Sequence, residues 1–195
     1  FTFKTDKIKV SVPVSKKKVV PVKPTFLNLP EAYAVNGVPC TLSYETITII
    51  GPPEIVDAVS EIPLLPIDFE NVTSTNKSFD VTLDLPNAVK TIDKIEFITV
   101  AFNFKNMSEK VFSISEFVPI NLAGGLSVDL PSSIRNVKVC GPTSVLRRLN
   151  ASDIFAEIDF SGKHVGEYTL VAKIRIKSNN EVWAIGSYNL IATVK

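Results

Sequence analysis

The sequence is poor in the residues on which most catalytic and metal sites depend. It has one histidine, His164, and two cysteines, Cys40 and Cys140, among 195 residues. A closed zinc site needs about four N or S ligands, and a Ser-His-Asp site would depend on His164 alone. We therefore expect no catalytic, metal-binding or cofactor-binding residues, and we interpret His164 as a surface histidine without a role.

Cysteine is too sparse for a disulfide framework, because small secreted domains held by disulfides are usually rich in cysteine. We interpret Cys140 as a small apolar residue; a bond between Cys40 and Cys140 is the less favoured alternative. No run of the sequence has the length of a membrane helix, and we expect no signal peptide within it. The formal net charge is +1, which gives no indication of a nucleic-acid partner.

One pattern is present twice: a strand-like run ending in Gly-Pro and, further on, an Ile-Asp-Phe sequence. The first copy comprises 47–52 with 67–69, and the second comprises 137–142 with 158–160. The glycines, Gly51 and Gly141, are 90 positions apart, and the Asp-Phe pairs are 91 positions apart. An offset kept across strand, turn and helix signals indicates a duplicated unit.

Each copy has the pattern of a strand, a turn and a short helix. Apolar and other residues alternate before Gly-Pro, which is the period of a half-buried strand. Gly is tolerated at a helix N-cap and Pro is favoured directly after it, so we expect a short helix there. The alternative is a phosphate-binding loop, which needs several glycines and a lysine. Each copy has one glycine and no such lysine. Asp68 and Asp159, one per copy, are interpreted as residues that fix turns.

Strand-like alternation over most of the chain predicts an all-β (mainly β) fold class. A strand is expected over 8–14, a central strand with two apolar faces over 95–102, and a tight turn at Asn179-Asn180. Residues 29–37 are expected to be rich in turns. The polar residues 105–110 predict a joint between two tandem domains, 1–105 and 106–195, each closing its own apolar core.

Lysine is concentrated near the beginning of the chain. Residues 1–25 contain seven lysines against Asp6 alone. Such a section could contact an anionic wall polymer or lipid head groups, and the candidate contact residues are Lys16, Lys17, Lys18 and Lys23. The favoured interpretation is an edge strand protected by lysine, with Lys16–Lys18 in a solvated hairpin tip.

The two copies resemble YbbR-like repeats. The segments that carry the resemblance are 10–14, 20–24, 47–52, 67–69 and 97–102 for the first, and 137–142, 158–162, 166–168 and 188–194 for the second. The resemblance implies compact all-β units of crossed β-hairpins, each with one short helix after the Gly-Pro turn, in tandem outside the membrane of Gram-positive bacteria. In that family an N-terminal membrane helix anchors several units, and the protein regulates a membrane-bound diadenylate cyclase that makes cyclic di-AMP.

The resemblance favours a non-enzymatic binding or sensory module at the extracytoplasmic face of the cell membrane. Its partner would be the diadenylate cyclase, and a membrane anchor would lie outside the present sequence. One alternative is a structural or adhesive spacer that binds a cell-wall polymer through the lysine-rich section. RNA binding is the least favoured alternative, because it rests only on similarity to the fold of a ribosomal protein.

Overall fold

The computed structural model describes residues 14–177 and 181–195. The described chain forms two compact units whose segments alternate along the sequence. Unit 1 comprises residues up to Thr25, Leu42–Leu65 and Asp80–Thr99, and unit 2 comprises Phe26–Thr41, Pro66–Phe79 and Val100–Lys195. The expected division into domains 1–105 and 106–195 stays a prediction. The turn expected at Asn179-Asn180 lies outside the described residues. The strand expected over 8–14 also lies outside them, except for Val14.

Strands dominate the described chain, as the alternating pattern predicts. The strands are β1 Lys16–Lys23, β2 Phe26–Leu27, β3 Cys40–Leu42, β4 Thr46–Gly51, β5 Ile62–Pro63, β6 Ile67–Asp68, β7 Ser78–Thr82, β8 Lys90–Thr91, β9 Phe97–Phe102, β10 Met107–Ile114, β11 Phe117–Ile120, β12 Val128–Asp129, β13 Ile134–Pro142, β14 Ile154–Asp159, β15 Gly166–Ile176, β16 Trp183–Ile185 and β17 Asn189–Val194. The α-helices are α1 Glu31–Asn36, α2 Pro53–Ala58 and α3 Thr143–Leu146, and two 3-10 turns cover Phe69–Asn71 and Ala151–Asp153. The all-β fold class is confirmed.

The strands form several small sheets. Their orders are β5-β1-β4-β8, β10-β13-β16, β11-β14-β15-β17-β12, β2-β6 and β3-β9-β7. The central position predicted for the strand around 95–102 is confirmed, because β9 lies between β3 and β7. The same pairings recur in the two copies: β1 pairs antiparallel with β4, and β10 pairs antiparallel with β13. A third strand follows on the far side, β8 beside β4 and β16 beside β13.

Three local expectations are wrong. The passage 29–37 contains helix α1, which begins after Pro30 and ends at Gly37, where φ is 82°. The polar joint expected at 105–110 is largely strand β10. Lys16–Lys18 begin strand β1 rather than forming a hairpin tip, because their backbones pair in register with β4.

The short helices predicted after Gly-Pro are present, but the glycines belong to the strands. The N-cap positions are Pro52 and Pro142. A Cβ on Gly51 would lie 2.9 Å from the carbonyl oxygen of Ala88, and one on Gly141 would lie 2.9 Å from that of Glu181. Both glycines are therefore required for close approach to the chain that leads into the third strand of the sheet.

We expect Gly141→Ala to lower the free energy of unfolding by about 1–3 kcal/mol, as overpacking of a tight contact does. The added methyl group would collide with the side chain of Val182 as well as with the Glu181 carbonyl. Chemical denaturation measures the effect. Gly124→Ala is the matched control, because a Cβ there meets nothing within 4 Å. Equal stabilities of the two variants would contradict the close-approach explanation.

The apolar interior of unit 2 contains a cluster of aromatic rings. Phe69 is fully buried, and its ring centroid lies 5.1 Å from that of Trp183 at an interplanar angle of 76°. Phe104 lies 5.4 Å from Trp183 and stacks on Phe102 at 5.2 Å. Edge-to-face and offset arrangements at these distances are favourable. The expectation that each half of the sequence closes its own core is therefore wrong here, since Phe69 precedes and Trp183 follows residue 105.

Candidate functional site

The four lysines proposed from the sequence all lie on β1, and three of them have partners. Lys18 is half-buried, and its Nζ donates to the carbonyl oxygens of Val59 at 2.6 Å and Asp57 at 3.2 Å. Lys16 pairs with the Asp57 carboxylate, and Lys23 pairs with Glu61 at 2.9 Å. Both ion pairs are exposed, so they contribute little to stability.

The role of Lys18 is repeated in the second copy by Lys110. Lys110 Nζ donates to the carbonyl oxygens of Leu146 at 3.2 Å and Leu149 at 2.8 Å. These carbonyls, like those bound by Lys18, lie at or just past the C-terminal end of the short helix. The last carbonyls of a helix have no intrahelical partner and carry partial negative charge. Each lysine therefore fixes a helix end to the first strand of its sheet, which is a structural role.

We expect Lys18→Met to lower the free energy of unfolding by about 1–2 kcal/mol, since it removes charged hydrogen bonds to a helix end. Methionine keeps an unbranched apolar stem in the same place. Lys17→Met is the matched control, and it should leave stability nearly unchanged because Lys17 is exposed. Denaturant titration of both variants measures the difference. The capping role would be refuted by two variants of equal stability.

The outward face of β1 carries a lysine that, unlike Lys18, has no described partner. Lys17 pairs in register with Ile50 of β4, and Ile50 pairs with Lys90 of β8. Residues directly opposite on neighbouring strands point to the same face, and strands are about 4.8 Å apart, so the two lysine Cα atoms are about 10 Å apart. A shallow groove of about 570 Å³ lies at the Lys90 end of this row, lined by Ile50, Lys90 and the turn Gly51–Glu54. The side chains of Lys17 and Lys90 make no ion pair or hydrogen bond with a described residue.

The equivalent row in unit 2 is Glu109, Cys140 and Trp183, in the same register. Here the face is covered: Cys140 is 0% exposed and Trp183 is 4% exposed. Trp183 Nε1 donates to the Val72 carbonyl at 2.8 Å. The backbone N–H and the hydroxyl of Ser74 donate to the Glu109 carboxylate at 3.1 and 2.7 Å.

Burial shifts the pKa of two groups at this face: Cys140, which is in the row, and Tyr33, which packs against Trp183. Burial raises the pKa of Cys140 to about 12, and the nearby Glu109 carboxylate adds to the shift. Burial also raises the pKa of the Tyr33 phenol, and Glu181 and Cys140 add to that shift. Cys40 and Cys140 are both free thiols, and the protonated, buried Cys140 is unsuited to nucleophilic chemistry. Its predicted role as a small apolar residue is confirmed.

Unit 2 also has a cleft of about 270 Å³ that sequence reasoning missed. The lining residues are Asn28, Leu29, Pro30, Glu31, Glu70, Phe155, Glu157, Lys173, Ile174, Arg175, Ile176, Val182, Trp183 and Ala184. Within it, Arg175 Nε pairs with a Glu157 oxygen at 2.8 Å. The carboxylate of Glu70 forms no hydrogen bond with any residue of the described ranges. Burial and the charge of Asp68 raise the pKa of Glu70, while Lys173 opposes the shift.

We expect Glu70→Gln to stabilise the protein modestly at neutral pH. A raised pKa in the folded state means that the ionised carboxylate is disfavoured there, so the charge costs stability above that pKa. The cost disappears as the pH falls through the raised pKa to below about 4, where the carboxyl is protonated in both states. Thermal unfolding between pH 3 and 8 tests this. A gain for Glu70→Gln that grew toward acid pH would contradict the sign.

Asp68 and Asp159 fix turns in the same way in the two copies. Asp68 Oδ1 accepts from Asn28 Nδ2 at 2.9 Å and from the Glu70 N–H at 3.0 Å. Asp159 Oδ1 accepts from Asn121 Nδ2 and the Ser161 N–H, both at 2.9 Å. Hydrogen bonds from Ser161 and Asn121 lower the pKa of Asp159. The predicted turn role of both carboxylates is confirmed.

His164 is exposed, and its backbone N–H donates to the Tyr168 hydroxyl at 3.3 Å. Within residues 14–177 and 181–195, no three His, Cys, Asp or Glu side chains are grouped so that they could hold a metal ion. In the same ranges, no helix is long and apolar enough to cross a membrane.

Comparison with known proteins identifies a family. Residues 20–111, a little under half of the chain, match the family model of YbbR-like proteins, so the resemblance of this range to a YbbR-like repeat is confirmed. A solved YbbR-like domain of the lmo2119 protein from Listeria monocytogenes is 14% identical, with 45% of this chain and 93% of that chain covered and a TM-score of 0.33. A YbbR-like protein from Streptococcus pneumoniae TIGR4 is 13% identical, with 98% of both chains covered and a TM-score of 0.33. The curated proteins include none that matches the chain.

Proposed function

We propose that the chain is a non-enzymatic binding module that regulates a membrane-bound diadenylate cyclase from the extracytoplasmic face of the cell membrane. The match of residues 20–111 to the YbbR-like proteins carries the proposal. The resemblance of both copies to YbbR-like repeats implies this location and this partner in Gram-positive bacteria. The chain would change cyclic di-AMP production through contact with the cyclase, without covalent chemistry of its own.

The surface of unit 1 supports action by contact. Lys17 and Lys90 flank Ile50 on an outward sheet face, and Val19 on the same face is 64% exposed. A second groove, of about 590 Å³, is lined in part by Leu85, Lys94 and Phe97. Apolar side chains ringed by charged ones are typical of protein-binding surfaces.

The proposal is tested by adding the purified chain to the outside of protoplasts of a Gram-positive bacterium that lacks its own regulator of this type. We expect a saturable change in the cyclic di-AMP content of the protoplasts as the concentration of the chain rises. Liquid chromatography with mass spectrometry measures the nucleotide.

Two controls accompany the titration. Protoplasts without the cyclase should show no cyclic di-AMP with or without the chain. An unrelated all-β protein of similar size should have no effect on protoplasts that contain the cyclase. An unchanged cyclic di-AMP content at all concentrations of the chain would refute the regulatory function.

A further inference from the structure

The two copies differ in what covers one equivalent face of the sheet. In unit 2 the outward row Glu109, Cys140 and Trp183 is covered by residues that precede it in the chain. Tyr33, Phe69 and Phe104 pack around the Trp183 ring at 5.1–6.1 Å. These covering residues lie on α1, at the start of the 3-10 turn Phe69–Asn71, and just after β9. All three precede the second copy of the sequence pattern, which begins at residue 137.

The row Lys17, Ile50 and Lys90 of unit 1 occupies the same place in its own sheet. Lys17 corresponds to Glu109, Ile50 to Cys140 and Lys90 to Trp183, because each row has the same register across three strands. Ile50 is half-buried, whereas Cys140 is 0% exposed. The groove of about 570 Å³ is lined by Ile50 and Lys90 of this row and extends along the turn Gly51–Glu54. No residue in the described part of the chain covers this row as Tyr33 and Phe69 cover its counterpart.

The two rows carry charges of opposite sign. Glu109 accepts hydrogen bonds from the covering segment, through the N–H and hydroxyl of Ser74. Lys17 in the same place can only donate, and Lys90 replaces an apolar ring with a second cation. Among the described residues that line the groove, Glu54 is the acidic one. A covering segment for this row must therefore bring acceptors or negative charge opposite Lys17 and Lys90.

We propose that the row Lys17–Ile50–Lys90 is a docking site for another YbbR-like repeat whose turn after its Asp-Phe pair is acidic. The repeat would cover this face as residues around Phe69 cover the face of β10, β13 and β16. Apolar contact with Ile50 and Val19 would accompany the charge pairs. This site does not depend on the diadenylate cyclase, so it can be tested apart from the proposed regulation.

A second copy of the chain itself is a poor partner. Its acidic turn after the Asp68-Phe69 pair already packs on Trp183 in the same chain, and its turn after the Asp159-Phe160 pair carries Lys163 and His164. Lysine there has the same sign as Lys17 and Lys90, and like charges placed opposite each other disfavour association. Reversal of charge in this turn, by Lys163→Glu with His164→Glu, converts the chain into a repeat of the required chemistry. Lys163 lies over the Tyr168 ring at the surface, 5.1 Å from its centroid, so the change leaves the core intact.

The test uses isotope-labelled wild-type chain and unlabelled chain carrying Lys163→Glu and His164→Glu. We expect saturable changes in the amide NMR signals of Lys17, Ile50 and Lys90, with wild-type unlabelled chain binding about ten-fold or more weakly. Lys17→Glu with Lys90→Glu in the labelled chain should abolish the changes. Lys16→Glu with Lys23→Glu alters the net charge equally and should leave them in place.

Three outcomes would overturn the proposal. The first is that the acidic-turn chain does not bind. The second is that it still binds labelled chain carrying Lys17→Glu and Lys90→Glu. The third is that Lys16→Glu with Lys23→Glu abolishes binding as completely as Lys17→Glu with Lys90→Glu. Poly-L-glutamate provides a fourth comparison, because it is an anion without a folded repeat. If it shifts the same signals at the same concentration of carboxylate, the face is an anion patch of the kind a wall polymer would bind, and the docking site is refuted.

Discussion

A close approach of two chain segments organises the sheet in each copy. The backbone leading into the third strand passes within 2.9 Å of where a Cβ would stand at Gly51 and at Gly141. Only glycine permits this approach, and it allows β8 to pair with β4 and β16 to pair with β13. The three-residue rows that cross these sheets follow directly from that pairing. The repeated glycine therefore determines which side chains stand side by side on the outward face.

The same backbone arrangement presents a buried face in unit 2 and an exposed face in unit 1. In unit 2 the row presents Trp183, a large apolar ring, beside Cys140, and burial of that ring within an aromatic cluster removes apolar surface from water. In unit 1 the corresponding position is Lys90, whose ammonium group would be costly to bury without a partner. One substitution of an aromatic residue by a cation thus marks the difference between an internal face and a face suited to binding.

The sequence predicts those features that depend on residues near one another in the chain. Alternation predicts the strands, and the repeated Asp-Phe pairs predict the turns that Asp68 and Asp159 fix. Helix α1 was missed although Pro30 and Gly37 mark its two ends, because the intervening Ala32 and Tyr33 gave too short an apolar pattern. The partners of Lys18, and the packing of Phe69 on Trp183, could not be predicted, since they join residues about 40 and 110 positions apart.

The lysines of β1 show why a cluster of like charges in a sequence is a poor guide to a binding site. Strand alternation sends Lys18 toward the end of helix α2 and Lys17 to the opposite face. A cation bound to helix carbonyls contributes to stability and presents little charge to a partner. The residue that joins Lys17 on the outward face is Lys90, which is distant in sequence and reaches it only through β4. Pairing register, and not adjacency along the chain, therefore decides which cations a ligand can contact together.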